Sequence, residues 1–136
     1  MATWLEFHDS TLLTLTVMTG NTLRMVLKGY IHRWQFEGDR WQGTGWTQLV
    51  QITVGTDQRV LVPALPADVV SGRLSVGPIA QDNLVRLPMD ASDSVTLRLD
   101  LVGQDALDMV GHSVRVESFG EPTYIEALPA DLRPDA

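Results

Sequence analysis

The chain of 136 residues carries 17 acidic against 10 basic side chains, for a formal charge of -7, and is 44% apolar and 20% charged. That balance permits one packed core and argues against wholesale disorder, while the acidic excess, one lysine (Lys28) and nine singly scattered arginines disfavour a nucleic-acid or anionic-membrane surface. No cysteine is present, which excludes disulfides, thiolate nucleophiles and Cys-ligated metal centres, and no apolar run approaches the ~20 residues of a spanning helix.

The opening Met1–Asp9 has no basic leader and sets Glu6 and Asp9 where a signal peptide would be apolar, so a cytoplasmic location is expected. From there the dominant signal is alternation of apolar and polar residues with period two, the spacing that puts alternate side chains on one face of a strand. Leu13–Val17 and Thr22–Lys28 flank Thr19-Gly20-Asn21. A two-residue loop would mix core and solvent faces. A three-residue loop pairs Leu13 with Leu27, Leu15 with Met25 and Val17 with Leu23, with Gly20 or Asn21 at positive φ.

Val50, Ile52 and Val54 alternate with Gln51 and Thr53, and Gly55–Gln58 is expected to turn the chain into a partner strand at Arg59–Val62. Pro63, Pro66 and Pro78 predict edge strands and loops through the middle third, because proline cannot donate to a central ladder. Val95–Leu101 reads as the central strand, with Val95, Leu97, Leu99 and Leu101 in the core. Leu107–Met109 and Val114–Glu117 read as a meander about a Gly111-His112 turn. One or two helical turns are the alternative over Gln104–Val110. The expected architecture is all-β, a single antiparallel β-sandwich with a flattened β-barrel as the alternative and at most one short helix. Residues 1–128 form its one domain, and 129–136 form a frayed or extended tail.

His8-Asp9-Ser10 holds the parts of a nucleophilic triad, but consecutive strand residues point to opposite faces, so a tight turn with a semi-buried His8 is expected. An enzyme using His8 as a general base is the minor reading. His8, His32 and His112 show no ligand spacing, and Asp82, Asp90 and Asp93 lack a calcium-loop pattern, so neither a metal nor another cofactor is expected. Gly43-Thr44-Gly45 has no following helix and no Gly-Lys-Ser/Thr ending, and is no phosphate loop.

The segment from Tyr30 to Trp46 is the most unusual in composition. Trp34, Trp41 and Trp46 are interleaved there with Asp39, Arg40 and Gln42, the mixture of flat rings and planar hydrogen-bonding groups that suits a sugar or a protein hot spot. The competing reading puts Trp34 and Phe36, with Tyr30 and His32, on the core side and Trp41 over one end of the sheet.

Leu5–Leu12, containing Phe7-His8-Asp9-Ser10, and the closing Val114–Glu117 and Gly120–Glu126 resemble small bacterial all-β proteins that begin with a Phe-His-Asp-Ser element. The resemblance covers about a fifth of the chain. It implies an all-β domain in a bacterial cytoplasm and assigns no catalytic role to Phe7, His8, Asp9 or Ser10. The expected function is that of a non-enzymatic interaction module, binding a protein partner or associating with itself as a homodimer through a sheet edge or the tryptophan-rich segment. A carbohydrate or small-ligand site built on the tryptophans is the alternative.

Overall fold

A computed structural model describes residues 1–134. Its strands are β1 (Ala2–Met18), β2 (Thr22–Glu37), β3 (Arg40–Gly55), β4 (Ala67–Val76), β5 (Ile79–Asp82), β6 (Leu84–Leu87), β7 (Met89–Leu101) and β8 (Leu107–Leu128). All pairings are antiparallel, in one sheet of order β5-β4-β7-β8-β3-β2-β1-β6. The all-β class expected from the alternation is the class observed. Thr11 and Leu12 of β1 also pair with Asp68 and Ala67 of β4, so the sheet returns on itself as a ring of six strands.

The ring encloses a core of Leu5, Phe7, Leu27, Ile31, Ile52, Leu74, Leu97, Leu99 and Met109, all at most 1% exposed. Val95, Leu97, Leu99 and Leu101 all point into it from β7, as alternation requires, and β7 runs between β4 and β8. Each buried aliphatic or aromatic side chain of this kind contributes roughly 1.5–3 kcal/mol relative to exposure.

The first hairpin turns through Thr19-Gly20-Asn21, with both Gly20 (φ 78°) and Asn21 (φ 56°) in the left-handed region, and pairs Leu15 with Met25 and Val17 with Leu23 as expected. The pairing of Leu13 with Leu27 is corrected. A bulge between Leu12 and Thr14 gives Leu27 to Leu12, which is fully buried, and displaces Leu13 to a half-buried position.

Two further expectations need correction. Arg59–Val62 is not a strand, because Thr56 and Gln58 spend their hydrogen bonds on Asn21 and Val110 and carry the chain away from the sheet. Gly111-His112 is not a turn: β8 runs straight through it, and Gly111 is glycine because a Cβ there would collide with the Gly55 carbonyl oxygen of β3. Leu107–Met109 is strand, as the alternation predicts, with Leu107 and Met109 buried, and the alternative of a helix over Gln104–Val110 does not form. In the middle third β5 and β6 are edges, whereas β4 runs in the interior between β5 and β7. After β8 the chain makes one 3-10 turn, Ala130–Leu132, which packs against β3. Of the expected tail, residues 135 and 136 lie outside the described residues.

Candidate functional site

The Phe7–Ser10 element is the corner of the fold. Before it, Thr3–Glu6 pair with Leu87–Leu84 of β6; after it, Thr11 and Leu12 pair with β4. Between Glu6↔Tyr30 and Thr11↔Lys28 these four residues face only Gly29 of β2, a large bulge that redirects β1 from one partner to another.

Each member has a local task. Phe7 is fully buried, and its amide donates to the Asn83 carbonyl oxygen (2.8 Å). The His8 amide donates to Asn83 Oδ1 (2.7 Å), and its ring Nδ1–H donates to the Val70 carbonyl oxygen (2.8 Å). Asp9 takes a φ of 69°. Ser10 is buried; its hydroxyl donates to the Glu6 carbonyl oxygen (2.6 Å) and accepts from the Tyr30 amide (3.0 Å), replacing ladder bonds that the bulge breaks.

That arrangement excludes a triad here. The Ser10 hydroxyl is committed to two backbone groups, and the His8 ring is directed at Val70. His8 is also exposed, not semi-buried as the sequence suggests, and its Nε2 lies 3.5 Å from Asp9 Oδ1. The Val70 carbonyl, followed by the Asp9 carboxylate, holds its imidazole above the usual histidine pKa.

The tryptophan-rich segment divides between two faces. Trp46 lies opposite the core residue Ile31 and packs against the core, whereas Tyr30, His32, Trp34 and Phe36 share the other face of β2. The expectation that Trp34 and Phe36 face the core is corrected: Trp34 is fully buried in a second, outer layer over Gly43, and Phe36 is exposed. Trp34 therefore offers no surface to a ligand. Trp41 leans on Phe36 (ring centroids 5.3 Å apart), and the Arg133 guanidinium sits 4.3 Å from its ring centroid. Arg33 lies 4.7 Å from the Trp46 centroid, with Tyr124 edge-on at 5.3 Å. Both rings already have a cation over one face, the place where a sugar would stack.

Asp39, Arg40 and Gln42 do come together, as an exposed polar rim at the tip of the β2–β3 hairpin. Trp41 is on the hairpin's other side from Arg40 and Gln42, and Trp46 is several residues away along β3, so the six candidates form no common platform.

Beside Trp34 the outer layer holds a polar cluster invisible in the sequence. His32, 5% exposed, places Nε2 3.3 Å from Glu6 Oε2 and its ring edge-on to Tyr30. The Tyr30 hydroxyl donates to Glu126 Oε1 (2.7 Å). Burial, then this hydrogen bond and the Glu126 charge, push the phenol well above its usual pKa, so it is a donor here and not a nucleophile.

Asp82, Asp90 and Asp93 do not meet: Asp82 pairs with Arg73, Asp90 with Arg115, and Asp93 accepts the Ser94 amide. No group of three or more His, Asp or Glu is placed to hold a metal ion among the described residues. Nor is any helix among them long and apolar enough to cross a membrane.

What sequence reasoning missed is the far half of β8. Its first half, Leu107–Val116, pairs with Met89–Leu99 of β7, and Ser113–Val116 pair with β3 as well; from Glu117 onward the strand pairs with β3 alone. Phe119–Leu128 thus presents a bare strand edge, and Phe119 (41%), Tyr124 (53%) and Ile125 (47%) stand exposed along it. A run of twenty-two strand residues with no internal turn was the available signal, obscured by Gly111, Gly120 and Pro122.

No family model, curated protein or solved structure matches this chain at a significant level.

Proposed function

We propose that the protein is a non-enzymatic interaction module that takes up an extended segment of a protein partner as an added strand along Phe119–Leu128. The observation that carries this reading is the unpaired backbone edge of β8, flanked by exposed Phe119, Tyr124 and Ile125. In strand addition the main chain supplies affinity, and alternate side chains supply specificity. Natural sheets otherwise blunt such an edge with lysine, proline or a covering loop; this edge has no lysine, and its one proline, Pro122, leaves Thr123–Leu128 uninterrupted.

Charge selects between a second copy and a different partner. Glu121 and Glu126 lie on this edge without an ion-pair partner among the described residues, and the whole chain carries -7. Two copies would oppose like charges, so the partner segment is one that alternates basic and apolar residues. The groups that would serve catalysis are already committed: Ser10 to backbone, His8 to Val70, and Tyr30 to Glu126. We further place the module in a bacterial cytoplasm, as the resemblance of its opening and closing segments implies.

Light scattering should give a monomer, and a peptide alternating lysine with valine should bind where one alternating glutamate with valine does not. Amide shifts should concentrate in Phe119–Leu128, and Ile125→Arg should abolish binding while leaving the circular dichroism unchanged. A stable dimer dispersed by Ile125→Arg, equal binding of both peptides, or shifts centred elsewhere would overturn the proposal.

A further inference from the structure

At the opposite end of β2 and β3 from the hairpin tip, where β1 turns into β2, lies a cavity of about 520 Å³. Val17, Met18, Leu23, Val60 and Leu61 form its apolar lining. Its size is that of small-molecule sites, which run from roughly 300 to 1,000 Å³.

Val17 pairs across the strand with buried Leu23, so it points to the core side of the sheet, yet it is 72% exposed. Nothing among the described residues covers it, because Arg59–Val62 leaves the sheet instead of pairing. Leu61, at 93%, is the most exposed large apolar side chain described. Singly scattered apolar side chains on a surface are ordinary, whereas a contiguous uncovered group is a mark of an interaction or ligand site.

The walls are set in advance. The Thr56 amide donates to the Asn21 carbonyl oxygen (2.8 Å) and the Thr56 hydroxyl to that of Val110, the Gln58 amide donates to Thr56 Oγ1 (3.0 Å), and the Val110 amide donates to Gln58 Oε1 (2.8 Å). These bonds tie the β1–β2 turn, the loop and β8 together below an open apolar lip. Arg59 stands on that lip, the one cationic residue lining the cavity, with no ion-pair partner among the described residues. Asp57 lines the cavity two residues earlier.

From this geometry we infer a second binding site, for a small single-chain amphiphile: its alkyl chain fills the Val17–Leu23–Leu61 cavity and its anionic head meets Arg59. The alkyl chain supplies affinity by leaving water, and the head supplies orientation. This site is independent of the β8 edge, and its failure would leave the strand-addition reading untouched.

The probes are decanoate, decanol and decylammonium below their aggregation limits, followed by calorimetry and amide shifts. The wild type should bind decanoate saturably, with shifts in Val17–Leu23 and Thr56–Leu61. Arg59→Gln should weaken decanoate about tenfold and leave decanol unchanged, since a charged hydrogen bond is worth about one such decade. Asp57→Asn should strengthen decanoate, and Leu61→Asp should abolish all binding without touching the core, because that side chain is exposed. No saturable binding of decanoate to the wild type would overturn the inference. So would decylammonium binding as tightly as decanoate, an Arg59→Gln variant that binds decanoate unchanged, or concentration-dependent dimers dispersed by Leu61→Asp, which would make the lip a contact between copies.

Discussion

Gly43→Ala probes whether Trp34 belongs to the interior. A Cβ at Gly43 would stand 2.6 Å from Trp34 Cε3 and closer still to Cζ3 and Cη2. Real Cβ atoms do not approach ring carbons so nearly, and the indole is fully buried. Overpacking a filled site costs about 1–3 kcal/mol. Against this, alanine at an unstrained position recovers about 0.4–1 kcal/mol by restricting the unfolded chain, and Gly43 does not have a positive φ. The net expectation is a loss of about 1–2 kcal/mol, or a fall in Tm on the order of 3–8 °C for a chain of this length. Urea unfolding at equilibrium measures the loss, and acrylamide quenching reports whether the indole has been expelled. Trp34→Leu in the Gly43→Ala background should remove most of the penalty, giving a coupling of about 1 kcal/mol. Were Gly43→Ala as stable as the wild type or more so, the ring would not rest on that backbone, and Trp34 would return to the ligand-facing candidates.

Ser10→Ala should cost about 2 kcal/mol in urea unfolding, because it removes the buried hydroxyl that bridges the Glu6 carbonyl and the Tyr30 amide beside the bulge; a loss under about 0.5 kcal/mol would show that water replaces the hydroxyl. His8 should titrate by NMR above pH 6.5, and Asp9→Asn should lower its midpoint only part of the way, since the Val70 carbonyl is the larger cause. Because the folded pKa is raised, the protonated ring favours folding: its contribution is complete below about pH 6.5 and fades as pH rises through the folded value. A midpoint at or below 6.5 would contradict the Nδ1–Val70 bond. The Tyr30 phenol should ionise above the ordinary tyrosine range, and Glu126→Gln should bring its midpoint down; ultraviolet difference titration reads both, and a normal phenol would mean that Glu126 points elsewhere.

Strand content, the side chains that share a face of each regular strand, and the first turn are legible in the sequence. Those depend on neighbours two residues apart: Val95, Leu97, Leu99 and Leu101 must share a face, and Thr19-Gly20-Asn21 must supply positive φ wherever the hairpin lies. The same reasoning failed where one residue type serves two ends. Gly111 looks like a turn but is needed because β8 crosses close to the Gly55 backbone, and Arg59–Val62 has strand residues but no strand beside it. Alternation also says which side chains share a face without saying which face looks inward: Tyr30, His32, Trp34 and Phe36 do share one, and it is the outer face of β2. Only the tertiary structure decided that Phe7–Ser10 would bend β1 from β6 to β4, that Glu6, Tyr30, His32 and Glu126 would meet, and that β8 would outrun its partner β7. Each of those joins segments distant in the chain, through ring closure and bulges whose energy lies in contacts that no local pattern records.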